Sequence, residues 1–309
     1  MSFVTSLDSN NASIIGKKSI TLPMGEVKIK RKIKSLDIIL KTCTSVNLDT
    51  QNKKRIFEQN KSEYTFRTMN SILKSLKKAN ENTENIKFKI TIINTGSSKK
   101  DTEQIKEMMN NSNFEFNLIN LDLKNYTGRI KIIKKNNTQI EENMKSTMAS
   151  IIKSIEISKK ANDLVYFVED DYLHNVDSIL EMISAYEKFS TILEDEIFIV
   201  PVDYPYLYQK NQEANILIGQ KYHWRSVKES LLTFLTSSKM INKYYNELLK
   251  MGETEHDPFE TILHNIYEKE KCFSPIPSLT LHCANVNSVY GISPNIDYRK
   301  FWKDSEQKK

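Results

Sequence analysis

Glycine and proline are scarce in this chain, at seven residues each among 309. So few backbone breakers exclude collagen-like and low-complexity architectures, and they make each glycine informative, because a chain that avoids Gly keeps it where the backbone needs it. Cysteine is scarcer still. Cys43, Cys272 and Cys283 are too few and too scattered for a disulfide framework or a Cys-based zinc site, and they point to a reduced compartment. No apolar run reaches the ~20 residues of a spanning helix, and the first eight residues lack the basic-then-apolar order of a signal peptide. A soluble, cytoplasmic protein is expected. Arginine occupies six positions against 39 lysines, so the formal charge of +6 rests on point charges rather than on an arginine-rich recognition surface.

What is present is enough sequence for one large or two ordinary domains, with an apolar share of 39% that excludes disorder of the whole chain. Residues 1–34 are expected to form an arm or small hairpin turning at Pro23-Met24-Gly25, with 28–34 as a strand whose lysines face solvent. From residue 35 the chain alternates apolar strands with helical patterns, the sequence form of an α/β domain with a mixed, mainly parallel sheet flanked by helices. Strands are expected at 36–41, 87–94, 114–120, 163–168 and 197–202, and helices at about 60–78, from about 100, at 138–160 and at 175–189. The texture changes at 203–236, which is aromatic and β-rich, and helices follow at about 238–250 and 257–269. A last strand is expected at 277–282. The domain therefore spans 35–302, a nucleotide-binding half at 35–202 and an acceptor half at 203–302, with a frayed tail at 303–309.

The sharpest feature is Glu169-Asp170-Asp171, three consecutive carboxylates at the end of the most continuously apolar run, 163–168. In open α/β sheets ligands bind outside the carboxyl ends of the strands, where these residues emerge. Like charges this close raise one another's pKa unless a cation or hydrogen bonds hold them ionised, and a divalent metal with hard oxygen ligands resolves the conflict. An acidic turn capping the next helix is the bland alternative.

Here the sequence resembles the GT-A fold of nucleotide-sugar glycosyltransferases, especially those of family 2, from about Leu36 to Trp302. The resemblance implies that the acidic motif holds Mn2+ or Mg2+ against the diphosphate of a nucleotide-sugar donor. It implies Asp171 as metal ligand, with Glu169 and Asp170 in supporting contact with the donor, and His282, at the end of the strand before Gly291, as the residue completing the metal shell. Thr42 and Thr44, after the first strand, become candidate base or ribose contacts. Asn94-Thr95-Gly96-Ser97 occupies the place of the family's Asp-Asp-Gly-Ser segment without its acids, leaving Asn94 as the substitute, while Gly96 allows a tight turn and close approach of the nucleotide. Downstream, Asp257 matches the Asp of the family's Glu-Asp pair, the general base toward an acceptor hydroxyl, with Glu260 in reserve. His256 stands where the Glu would be, and Asp257 equally suits the N-cap of a helix opening at Pro258. Trp224 and Arg225 are candidates for the acceptor wall, or for the core.

The implied activity is metal-dependent transfer of a sugar to a glycan or other hydroxyl acceptor, with inversion. Two other classes remain. A nucleotidyltransferase uses a similar acidic site but ordinarily has a Gly-rich or basic loop after the first strand, where this chain has Lys41-Thr-Cys-Thr-Ser. A basic nucleic-acid-binding protein would show steep salt dependence, and the run at 28–34 lacks the interleaved aromatics of a stacking platform.

Overall fold

The computed structural model describes residues 28–45, 54–133, 138–209, 211–256 and 258–307. The chain divides into Met1–Lys32 and Ile33–Lys309. The expected hairpin turn at Pro23 and Gly25 lies outside the described residues. The strand expected at 28–34 is absent: the N–H groups of Ile33 and Lys34 donate to carboxylates, Glu187 Oε1 at 2.8 Å and Asp163 Oδ2 at 2.7 Å, instead of to a neighbouring strand.

Regular structure begins with β1 (Ser35–Thr42), α1 (Lys61–Asn82), β2 (Lys87–Asn94), α2 (Lys99–Asn110), β3 (Glu115–Asn120), α3 (Thr138–Ser158) and β4 (Leu164–Glu169). The apolar runs of β1 and β4 are nearly continuous because both faces are covered, as in parallel sheets. α1 buries Tyr64, Met69, Ile72, Leu76 and Ala79 at helical spacing, which is why one face of it turns to the interior. There follow β5 (Tyr172–His174), α4 (Ser178–Leu193), β6 (Phe198–Ile199), β7 (Ile216–Ile218), β8 (His223–Ser226) and β9 (Phe234–Ser237). The chain closes with α5 (Ser238–Lys243), α6 (Tyr245–Glu253), α7 (Thr261–Tyr267), β10 (Cys272–Ile276), β11 (Thr280–His282) and α8 (Tyr298–Asp304). β6 is shorter than the expected 197–202, since Pro201 has no N–H with which to extend a ladder.

Nine strands form one sheet in the order β3-β2-β1-β4-β9-β6-β10-β8-β7. β8 and β9 run against the other seven, which gives the mixed, mainly parallel sheet expected from the sequence. The chain winds outward from β1 through β2 to β3, then α3 carries it back across to β4 on the other side of β1. α1 packs with α2 and α4, and α3 with α5 and α6; right-handed crossovers put these two groups on opposite faces. The winding thus reverses between β1 and β4, and such a switch point opens a crevice at the carboxyl ends of the two strands. Their register sets Lys41 opposite Glu169, so both strands end at the same level.

Candidate active site

A cleft of about 200 Å3 opens at that switch point, lined by the ends of β1 and β4, by α3, and by segments around residues 55–61, 259–260 and 282–285. It gathers Thr42, Glu169, Asp170, Asp171, Glu260 and His282 from the sequence-based candidates. β5 and β11 form a separate two-stranded sheet that pairs Tyr172 with His282 and Leu173 with Leu281. This pairing brings His282 across to Asp171, and the Cys283 N–H closes on the Asp171 carbonyl at 2.9 Å.

The three carboxylates have different surroundings. Lys41 Nζ lies 3.3 Å from Glu169 Oε1. Asp170 is turned inward and buried, where it accepts from Lys61 Nζ at 2.5 Å, Thr65 Oγ1 at 2.7 Å and the Cys43 N–H at 3.2 Å. Its carboxylate ties the end of β1 to the first turn of α1. Asp171 faces Arg55 Nη1 at 3.6 Å and Lys61 Nζ at 3.8 Å with Oδ2, and His282 Nε2 at 4.0 Å with Oδ1. Lysine and arginine side chains thus supply much of the counter-charge that the sequence assigned to a metal alone.

His282 is buried and stacks on Tyr172, with ring centroids 4.6 Å apart. Its Nδ1 is 2.9 Å from the Tyr290 carbonyl oxygen. A carbonyl only accepts, so Nδ1 carries a proton, and Nε2 is the ring nitrogen turned toward Asp171. An imidazole nitrogen and a carboxylate oxygen are both ordinary ligand atoms for a divalent ion, and here they face each other at 4.0 Å, so Asp171 and His282 are the residues that would hold one. The pair therefore fits a divalent ion. Among the described residues no group of three or more His, Cys, Asp and Glu is set to hold a metal, so further ligands would come from substrate oxygens and water, as is usual for Mg2+ in phosphate chemistry.

Thr44, Asn94, Gly96, Trp224 and Arg225 are not among the residues lining the cleft. Asn94 is buried; its Oδ1 accepts from the Ser97 N–H at 2.9 Å and its Nδ2 donates to Asn120 at 2.8 Å, so it shapes the turn after β2. A Cβ on Gly96 would come within 3.0 Å of Ser45 Oγ and 3.3 Å of Cys43 Sγ, so the glycine admits a close approach of two loops. Thr44 donates to Asp101 Oδ2 at 2.6 Å and helps hold the start of α2. Trp224 does not line the cleft: it is fully buried, its indole N–H donating to Glu181 Oε1 at 3.2 Å, because it packs in the core against Phe189. Arg225 is likewise turned inward, hydrogen-bonded to Asp203 and lying over the Tyr208 ring at 4.3 Å. Asp257 lies outside the described residues. The helix expected to open at Pro258 begins at Thr261, with Glu260 at the cap position and buried on the cleft.

Sequence inspection missed the cations Lys41, Arg55 and Lys61, and the polar face of α3 at Asn143, Ser146 and Thr147. The second has a visible signal, since 143, 146 and 147 share one face at helical spacing. Thr42 Oγ1 and the Nε and Nη1 of Arg55 are buried without hydrogen-bond partners, and both residues line the cleft. Buried polar groups are ordinarily satisfied, so orphans in a cleft mark where a polar ligand belongs.

No family model and no curated protein matches the sequence. Among solved structures the chain is similar to S. aureus TarS 1-349 at 13% identity and a TM-score of 0.37 over 68% of this chain, and it spans about half, 49%, of that one. It is similar to the galactosyltransferase LgtC at 14% identity and a TM-score of 0.38, over 75% of this chain and 70% of that chain. A nucleoside-diphosphate-sugar pyrophosphorylase from Vibrio cholerae aligns at 10% identity and a TM-score of 0.39, over 87% of this chain and 99% of the other. Among the described residues no helix is long and apolar enough to cross a membrane.

Proposed function

We propose that the chain is a GT-A-type, family 2-like glycosyltransferase of hexosyltransferase type, moving a sugar from a nucleoside-diphosphate sugar to a glycan or other acceptor hydroxyl. The observation that carries this is Asp171 facing His282 in a cleft at the β1/β4 switch point, directly after the apolar strand β4. Charge supports it. Four carboxylates, Glu169, Asp170, Asp171 and Glu260, line the cleft with three side-chain cations, Lys41, Arg55 and Lys61, and so offer a diphosphate no net positive charge. Mn2+ or Mg2+ held by Asp171 and His282 would reverse that balance and, when bound, would supply Lewis-acid stabilisation of the departing diphosphate.

The chain's own residues then divide the work. Thr42 and the polar face of α3 bind the donor in the crevice, and Asp170 fixes the strand ends around it. The acceptor oxygen bonds to the anomeric carbon as the bond from that carbon to the phosphate oxygen breaks, its electron pair leaving with the diphosphate. The acceptor proton passes to a carboxylate, Asp257 by the family resemblance or Glu260 among the described cleft residues. A single displacement of this kind inverts the anomeric centre.

The test is turnover of a panel of UDP-, GDP-, CMP- and dTDP-sugars with Mn2+ or with EDTA, comparing the wild type with Asp171→Ala, Asp257→Asn and Glu260→Gln. Metal-dependent release of the nucleotide, lost in Asp171→Ala and in one of the two base variants, is expected. No nucleotide binding with metal, or full activity in Asp171→Ala, overturns the site, and pyrophosphate release from a nucleoside triphosphate would replace sugar transfer by nucleotidyl transfer.

A further inference from the structure

Arg55 sits in the cleft in a way that protein contacts alone do not account for. Its side chain is 7% exposed. Neighbouring backbone holds its segment on both sides, with the Ile56 N–H donating to the Cys283 carbonyl at 3.1 Å and the Val286 N–H to the Lys54 carbonyl at 3.3 Å. The guanidinium lies over the Tyr64 ring at 5.0 Å, and the Tyr64 hydroxyl accepts from the Phe57 N–H at 2.9 Å. Phe57 and Tyr64 in turn pack on Trp302 of α8, with ring centroids 4.3 Å and 5.0 Å away. Held this firmly, Arg55 still leaves Nε and Nη1 without hydrogen-bond partners, and its approach to Asp171 at 3.6 Å is an ion pair rather than a hydrogen bond.

Lys61 adds to the same spot. It is the first residue of the 22-residue α1 and is buried, and the Asn60 side chain makes no capping hydrogen bond. A helix N-terminus already carries partial positive charge, so a lysine there opposes the dipole, and its pairing with the buried Asp170 holds it in place beside Asp171. The guanidinium and the ammonium, the latter shared with Asp170, face one oxygen of the Asp171 carboxylate, while His282 faces the other.

We propose that Arg55, backed by Lys61 and the N-terminus of α1, is a phosphate-binding arm that takes up the diphosphate of the donor. The identity of that ligand rests on the nucleotide-sugar function proposed above, whereas the anion site itself does not. A guanidinium presents a planar fork that matches phosphate oxygens, and it stays charged at all working pH values. A divalent ion, where held by Asp171 and His282, would supply further positive charge beside the guanidinium. The metal pair and the arm flank one carboxylate, so a diphosphate that meets one meets the other.

The experiment is calorimetric titration of the full chain and its Arg55→Gln and Arg55→Lys variants with UDP, GDP, CMP, dTDP, inorganic pyrophosphate and uridine, each with Mn2+ and with EDTA. Arg55→Gln is expected to weaken pyrophosphate and the preferred nucleoside diphosphate by about ten- to a hundredfold, the range for a lost charge-assisted hydrogen bond, in both conditions. Uridine binding should not respond, Arg55→Lys should fall between, and Mn2+ uptake by the ligand-free protein should be no weaker in the variants. If the wild type binds a nucleoside diphosphate and both variants bind it equally well, the arm is overturned and the glycosyltransferase assignment stands. If the wild type binds no nucleotide, that assignment falls, and pyrophosphate decides the arm separately: binding weakened by Arg55→Gln sustains it, and no binding, or equal binding, overturns it. Should Arg55→Gln not fold, Arg55→Lys carries the comparison.

Discussion

Asp170 and Asp171 are neighbours in sequence with opposite tasks. Asp170 is buried against Lys61, Thr65 and the Cys43 N–H, so Asp170→Ala leaves a buried lysine without its carboxylate and is expected to cost about 3–5 kcal/mol of stability. Asp171→Asn keeps the side-chain volume but takes the carboxylate from the buried Arg55, so it should cost less than Asp170→Ala, about 1–3 kcal/mol, and lose donor turnover by on the order of a hundredfold or more. Denaturant unfolding and turnover, measured on both variants, separate the two roles; a stable Asp170→Ala would contradict the assignment. The acidic triplet itself was legible in the sequence, because three carboxylates after an apolar run stand out. Which of the three turns inward was not, since that depends on Lys61 and Thr65, more than a hundred residues away in the chain. Arg55 could have been noticed by the reasoning applied to glycine: where lysine outnumbers arginine 39 to six, each arginine is a choice of geometry over charge.

Among the elements, the best-read were those whose pattern matches their surroundings. α1, α2, α3 and the strands β1 to β4 lie within a few residues of their expected bounds, because long periodic segments carry their own signal. The short strands β5 and β10 and the helix α8 went unread, since three to seven residues hold too few periods. Close packing between elements is equally hidden. Gly252 of α6 meets α3 so tightly that a Cβ there would lie 2.6 Å from the Met148 carbonyl oxygen and 2.6 Å from Ile152 Cγ1. Because a helix backbone cannot yield as a side-chain tip can, Gly252→Ala should destabilise by about 1–3 kcal/mol in spite of alanine's better helix propensity. Thermal unfolding checks this, and a variant as stable as the wild type would mean that α3 and α6 can separate freely. α3 lines the cleft, so a loss of nucleotide affinity is expected to accompany the shift.

Across the whole molecule, one buried histidine links folding to pH. His174 lies in the core with Nε2 2.7 Å from the Tyr166 hydroxyl and Nδ1 3.1 Å from the Tyr172 carbonyl oxygen, and burial pushes its pKa down to about 3. Between about pH 6.5 and about 3 the unfolded chain therefore binds a proton that the folded chain does not, so this stabilisation is complete above about 6.5 and is lost as pH falls toward 3, by up to about 1.4 kcal/mol per unit. Unfolding in denaturant from pH 7 to pH 4 should show that slope, and His174→Gln should flatten it; equal slopes would rule it out. By itself the sequence determined the alternation of strands and helices and the acidic strand end, because hydrophobic period and local charge are properties of adjacent residues. Tertiary structure alone decided the order of the nine strands, the switch point between β1 and β4, the burial of Trp224 and Arg225, and the meeting of Asp171 with His282 and Arg55. Those follow from which surfaces exclude water together once the sheet has closed, and no short stretch of chain contains that information.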